Sequence, residues 1–166
     1  MTRNRFVPAA LAAAMLTASA AAPALAAMKL PEASKTNWTA HKVEGGSIAQ
    51  INARGEGRFA VMCEKGDRKG SIFYRVPMAA REEVRAAGDR MNVVFTFDKD
   101  EKIERTMSWD QEGRYWTDPF GPNSTLAELM KKSYDVRINV KGHPGVDSEF
   151  TLKDSWKSIE AMFAGC

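Results

Sequence analysis

Apolar and polar residues alternate with a period of two along most of the chain beyond residue 36. This period puts successive side chains on opposite faces of an extended strand, so it predicts β-strands with one buried face. Five stretches carry it, and the residues on the buried face of each are Phe59, Val61 and Cys63; Ile72, Tyr74 and Val76; Val93, Phe95 and Phe97; Ile103, Met107 and Trp109; and Tyr134, Val136, Ile138 and Val140. Charged turns at 65–67, 98–101 and 110–113 predict antiparallel hairpins.

Three segments depart from this alternation and predict helices. Residues 78–87 follow Pro77 and stop at Gly88, and residues 125–133 open with a capping-box sequence, Thr125 to Glu128. The last helix has its apolar residues at spacings of four, three, four and three, which places them on one face. These residues are Leu152, Trp156, Ile159, Phe163 and Cys166, with Asp154 or Ser155 as the start and Gly165 as the end.

Together these elements predict an α+β fold that is mainly β. We expect an antiparallel sandwich-like or strongly curved sheet with a C-terminal amphipathic helix packed on it. Residues 36–166 are predicted to form this single globular domain, and residues 27–35 a flexible leader before it.

The N-terminus has the pattern of a bacterial Sec signal peptide over residues 1–26. Arg3 and Arg5 form its positive region, an apolar run follows over 6–16, and Ala24-Leu25-Ala26 is a cleavage site. The sequence therefore predicts a periplasmic or secreted protein. No later apolar run has the length of a membrane span, so the mature chain is predicted to have no transmembrane segment.

The charge balance argues against nucleic acid as a partner. The chain has 24 Lys and Arg against 21 Asp and Glu, a formal net charge of +3, and two of those arginines belong to the predicted signal. Nucleic-acid binding through counterion release needs a basic surface, which so small an excess does not supply.

The two cysteines are predicted to pair with each other. Cys63 ends an apolar strand and Cys166 lies on the apolar edge of the last helix, so both point toward one core. Export to an oxidising compartment favours a disulfide. Two buried free thiols, or an intermolecular bridge through Cys166, are the alternatives. The chain has no Cys-x-x-Cys motif, so a catalytic redox role is disfavoured.

The chain contains, in order, the strand 59–63 ending in Cys63, the strand 93–98 ending in Asp98, Trp109, the helix-to-strand passage 126–140, Phe150-Thr151-Leu152 and the terminal Cys166. This arrangement resembles small exported bacterial proteins that include the TagO/VasI-type accessory proteins of type VI secretion. The resemblance covers roughly residues 57–166. It implies a β-rich domain with its final helix joined to a strand, and a non-enzymatic accessory or binding role at the envelope.

The histidines, the acidic segment and the serines of the sequence match no known metal-binding or catalytic motif. His41 and His143 are predicted to be solvated, since a zinc site needs three or four suitably spaced ligands. The 98–101 segment is acidic, but Lys102 and Ile103 occupy positions where a calcium-binding loop needs an oxygen ligand and glycine. No Gly-x-Ser-x-Gly elbow is present, so the sequence assigns no catalytic residue, metal or cofactor.

The aromatic stretch from Trp109 to Phe120 is the predicted partner-binding surface. It contains Trp109, Tyr115, Trp116 and Phe120, and exposure of Trp116 and Phe120 would offer anchors for a partner. The alternative is that Trp109 belongs to the core while Trp116 and Phe120 cover a hairpin edge.

The leading functional hypothesis is a non-catalytic binding or accessory protein of the envelope, with a protein partner there and possible association with secretion. An envelope hydrolase acting on peptidoglycan or peptides is the alternative, and it requires His41 or His143 to meet carboxylates or hydroxyls in a cleft. A structural protein linked through Cys166 is the third hypothesis. The sequence does not determine the oligomeric state.

Overall fold

The structure is a computed structural model that describes residues 30–66, 69–98, 100–111 and 114–166. The predicted signal peptide (1–26) and the start of the leader (27–29) lie outside the described residues. So do Asp67, Lys99, Glu112 and Gly113 of the three predicted turns.

The described part of the chain forms nine strands and three α-helices. In chain order they are β1 Thr39–Val43, β2 Gly46–Asn52, β3 Arg58–Glu64, β4 Gly70–Arg75, α1 Arg81–Ala86 after a 3₁₀ turn Met78–Ala80, β5 Arg90–Phe97, β6 Lys102–Asp110, β7 Tyr115–Phe120, α2 Thr125–Lys132, β8 Asp135–Val140, β9 Asp147–Thr151 and α3 Ser155–Ala164. The five predicted strands and three predicted helices are all confirmed.

All nine strands belong to one antiparallel sheet, in the order β1-β2-β3-β4-β7-β6-β5-β8-β9. Six steps separate β3 from β9, which is about 29 Å in a flat sheet with strands ~4.8 Å apart. The rings of Phe59 on β3 and Phe150 on β9 nevertheless have centroids 5.7 Å apart. The sheet therefore bends over itself, and its two halves enclose one core, as the predicted fold class requires.

The inward-facing side chains of both halves of the sheet form this core. Phe59, Val61, Ile72 and Tyr74 come from one half, and the other contributes Val93, Phe95, Ile138 and Phe150, each fully buried. Tyr134 does not join them, because β8 begins only at Asp135, and its side chain is 82% exposed. Its predicted place on the buried face is wrong.

The edge strand β9 is covered by the opposite end of the sheet. The backbone N–H of Trp38 donates to the Lys153 carbonyl at 3.1 Å, and its indole Nε1 donates to the Thr151 carbonyl at 2.9 Å. The Arg54 N–H donates to the Glu149 carbonyl at 3.1 Å. These bonds satisfy carbonyls that an exposed edge would leave open to other chains.

The described part of the predicted leader lies against the outer face of β2. The Gln50 side-chain amide donates to the Pro31 carbonyl at 2.9 Å, and that of Asn52 donates to the Ala33 carbonyl at 2.7 Å. Leu30 packs on an apolar cluster formed by Ile48, Ala60 and Met62. Residues 30–34 thus lie on the outer face of the sheet at β2 and β3.

The α2 N-terminus lies one residue before the predicted one. Ser124 is the N-cap, and its Oγ accepts from the Ala127 N–H at 3.2 Å. The predicted capping box would have made Thr125 the cap and paired it with Glu128, and it is wrong by one position. Glu128 instead accepts a hydrogen bond from Lys131 at 2.7 Å.

The last helix, α3, packs on the inner face of β1, β2 and β3. Its buried residues are Ser155, Ser158, Ile159 and Met162, whereas Trp156 and Phe163 are only half-buried. Asp154 occupies the N-cap position with φ of +60°, but its side chain makes no capping bond. None of the described helices is long and apolar enough to cross a membrane.

A disulfide joins Cys63 on β3 to Cys166 after α3. Their Cα atoms lie 6.2 Å apart, within the usual range for a disulfide, and the bond closes a loop with a sequence separation of 103. The predicted intramolecular pairing is confirmed. The alternatives of two free thiols or an intermolecular bridge are wrong.

Candidate functional site

The predicted aromatic surface is largely inside the protein. Trp116 is 1% and Phe120 is 3% exposed, so their predicted exposure is wrong. Trp116 lies opposite Tyr74 on the inner face of the sheet, and Phe120 stacks on Phe163 at 6.4 Å. Tyr115 is also buried, on the outer face, with its ring 4.7 Å from that of Phe73.

Trp109 is the member of that set with a substantially accessible side chain. It is half-buried, its indole Nε1 donates to the Gln111 Oε1 at 2.9 Å, and the guanidinium of Arg85 lies 5.4 Å from the ring centroid. A partner contact by any of the four residues stays a prediction, and burial leaves Trp109 as the one that a partner can reach without rearrangement.

The two histidines do not come together. The Nδ1 of His143 lies 2.9 Å from Oε1 of Glu83, and the His143 side chain is 15% exposed, so it is less solvated than predicted. The Nε2 of His41 lies 3.0 Å from the Thr39 hydroxyl. Within the described ranges, no group of three or more His, Cys, Asp or Glu side chains could hold a metal ion.

Two open hollows adjoin at α3 and share Trp156 as a wall. The first, of about 580 Å³, is here called the basic hollow, and its lining includes Arg54, Lys131, Tyr134, Lys153, Trp156 and Lys157. The second, of about 630 Å³, is called the apolar hollow, and it is lined by Gly66, Pro122, Trp156, Glu160, Phe163, Ala164 and Cys166.

Trp156 is held in a fixed orientation between the two hollows. Its indole Nε1 donates to Glu160 Oε1 at 2.5 Å, one helical turn along α3. The ammonium of Lys131 on α2 lies 3.8 Å from the ring centroid, a cation–π contact. A half-buried aromatic ring that is already immobilised loses little conformational entropy on binding, so it is suited to anchor a partner.

Charged neighbours fix the Lys131 contact in turn. Lys131 Nζ donates to Glu128 at 2.7 Å, and this hydrogen bond, together with the positive charge of Lys131, lowers the pKa of Glu128. Arg54, which also lines the basic hollow, pairs with Asp135 at 2.8 Å. Two of the cations that line the basic hollow are therefore already paired with carboxylates.

The disulfide forms part of the wall of the apolar hollow. Cys166 lines it, and the Gly66 N–H donates to the Cys166 carbonyl at 2.6 Å. Phe163, on the same wall, stacks on Phe120 below it. The bond thus fixes the end of α3 to β3 at the place where Trp156 and Phe163 reach the surface.

Two other hollows are weaker candidates. The one beneath Leu30 on the outer face has about 20 Å³, room for roughly one water molecule. A polar one of about 380 Å³ contains Asp98, but both carboxylate oxygens of Asp98 already accept backbone N–H groups, of Tyr134 at 2.5 Å and Asp135 at 2.6 Å. Asp98 therefore shapes the start of β8.

Sequence reasoning missed this site because it assigned Trp156 to the buried stripe of the last helix. One signal in the sequence does point to it. Trp156 is flanked by Lys153, Asp154 and Lys157, a charged setting that is typical of a residue at the edge of a buried face.

No protein-family model, curated protein or solved structure matches this chain.

Proposed function

We propose that the protein is an exported, non-catalytic binding protein of the bacterial envelope, and that it acts as an accessory component through the surface centred on Trp156. The observation that carries the proposal is the fixed position of this ring between two open hollows, held by Lys131 and Glu160. Partner surfaces are often built around a rigid aromatic residue of this kind.

The disulfide supports the compartment. A bond between Cys63 and Cys166 persists in oxidising surroundings, and the signal-like residues 1–26 give a route to the periplasm or the medium. The pattern that resembles TagO/VasI-type proteins adds an association with secretion to the proposal. Intact-mass analysis of protein recovered from the periplasm tests both points: we expect a chain beginning at Ala27 and lighter by the two hydrogens of the disulfide.

Two half-buried tryptophans allow a matched test of the binding surface. We expect photo-crosslinking from position 134, which lines the basic hollow together with Trp156, to capture one identified envelope protein in the producing bacterium. Trp156→Ala should abolish that adduct, whereas Trp109→Ala should leave it unchanged. Both variants remove a partly accessible indole that has a hydrogen bond and a cation–π contact. Loss of the adduct with Trp109→Ala alone would show that the partner binds at the aromatic stretch from Trp109 to Phe120 instead.

The alternative, an envelope hydrolase, has one contact in its favour, that between His143 and Glu83 at 2.9 Å. A histidine oriented by a carboxylate is one element of acid–base catalysis. Muropeptide and peptide release by the purified protein tests it. The binding proposal expects equal background release by wild type and His143→Ala, and activity lost in both His143→Ala and Glu83→Gln would establish the hydrolase instead.

A further inference from the structure

The basic hollow has cations that internal carboxylates do not neutralise. Lys153 and Lys157 make no ion pair with any described carboxylate, unlike Arg54 and Lys131. Asp154 is the one lining carboxylate without such a pair among the described residues. The rim near α3 therefore has an excess of positive charge that is open to solvent.

Aromatic surface lies directly beside this charge. Tyr134 is 82% exposed and Trp156 is half-buried, and both line the basic hollow. Accessible rings next to ammonium groups that no described carboxylate pairs with suit a ligand that combines negative charge with an apolar side chain.

The adjoining apolar hollow sets the size of that ligand. A small anion would occupy the lysine rim and leave Pro122 and Phe163 uncovered on the other side of Trp156. A peptide segment spans both hollows, with carboxylates at Lys153 and Lys157 and an aromatic side chain beyond Trp156.

We infer that the two hollows together form a docking site for an acidic segment of a partner protein, anchored by an aromatic side chain in the apolar hollow. The inference rests on the proposed function and specifies the chemistry of the partner. Charge complementarity supports it, because Lys153 and Lys157 make no ion pair with a described carboxylate, and so does the ring of Trp156, which both hollows share.

Fluorescence anisotropy with labelled peptides tests the inference on the full mature protein. The probe is GDEDFEDG, and its controls are the charge-reversed GKRKFRKG and the ring-free GDEDAEDG. We expect binding of the probe that weakens at least tenfold with either control peptide, and that weakens again as salt is raised from 50 to 500 mM.

Charge-matched variants locate the site. Lys153→Glu with Lys157→Glu should weaken probe binding by about tenfold or more. Lys42→Glu with Arg90→Glu, at exposed positions outside both hollows, makes the same change in net charge and should leave it within about twofold. Equal losses in both double variants, or equal binding to vesicles of anionic phospholipid, would show general attraction to anions and would overturn the inference.

The outcomes separate this inference from the proposed function. If the peptide fails to bind while the cross-linked adduct still depends on Trp156, the acidic class is wrong and the binding role stands. If the adduct is also independent of Trp156, both are wrong. Circular dichroism of each variant checks that α3 and the sheet are retained, so that a loss of binding reports on the surface.

Discussion

Breaking the Cys63–Cys166 bond is expected to remove a large share of the stability of the fold. The bond closes a loop with a sequence separation of 103, and in the chain-entropy model this constrains the unfolded chain by about 4–5 kcal/mol. Domains of this kind are stable by about 5–15 kcal/mol, so the variant without the bond approaches marginal stability.

Three variants measure this effect: Cys63→Ala, Cys166→Ala and the double variant. Because either substitution alone breaks the bond, we expect all three to lose the same free energy of unfolding in urea to within about 1 kcal/mol. The denaturant slope should also rise, because the unfolded chain without the crosslink exposes more surface. Alanine is preferred to serine here, since Cys63 is only 1% exposed and a hydroxyl there would need a buried partner.

Either of two results would contradict this expectation. A loss below about 1 kcal/mol in all three variants would show that the crosslink does not constrain the unfolded chain as this loop length requires. Losses that add in the double variant would show that each cysteine acts through its own packing. Mass spectrometry with a thiol-alkylating reagent, before and after reduction, confirms that the wild-type sample is fully oxidised.

Three further predictions concern single contacts. The Tyr74 hydroxyl donates to Ser148 Oγ at 2.8 Å inside the core, so Tyr74→Phe should lower the free energy of unfolding by about 1–2 kcal/mol in urea titrations. Burial also raises the pKa of Tyr74 above its ordinary 10.0. The free energy of unfolding should therefore keep its full Tyr74 contribution below pH 10 and fall as the pH rises further, less steeply in Tyr74→Phe. Ser124→Ala should lower the free energy of unfolding by about 1 kcal/mol through loss of the α2 cap, while Thr125→Ala should change the urea midpoint little. The opposite result, a larger loss with Thr125→Ala, would show that Thr125 is the N-cap. Lys131→Met should raise the pKa of Glu128, because Lys131 is the main cause of the lowered pKa in wild type. NMR titration of the Glu128 carboxyl measures the change. In wild type this pair favours the folded state above the unfolded-state pKa of Glu128, and it ceases to do so as the pH falls through the folded-state pKa.

Local pattern was sufficient to predict most of the fold. The alternation at Phe59 and Val61, or at Val93 and Phe95, depends only on one face of each strand being buried, and the structure buries them. The disulfide was also predictable, because the end of an apolar strand and the apolar edge of a helix both face the core. The order of the strands was not, since the pairing of β4 with β7 joins residues that are more than 40 positions apart in sequence and carries no local signal.

The proposed binding surface could not be predicted because it depends on how α3 is rotated about its own axis. The apolar residues Trp156, Ile159 and Phe163 define a stripe, yet the buried set is Ser155, Ser158, Ile159 and Met162, which is turned by about 80° at 100° per residue. Two small serines let the helix approach its neighbours closely, and Ser155 Oγ donates to the Met130 carbonyl at 3.2 Å on α2. Burial of a polar residue through such a tertiary hydrogen bond is invisible to a hydrophobicity pattern, and it is this rotation that turns Trp156 and Phe163 out of the core to the edge where the two hollows meet.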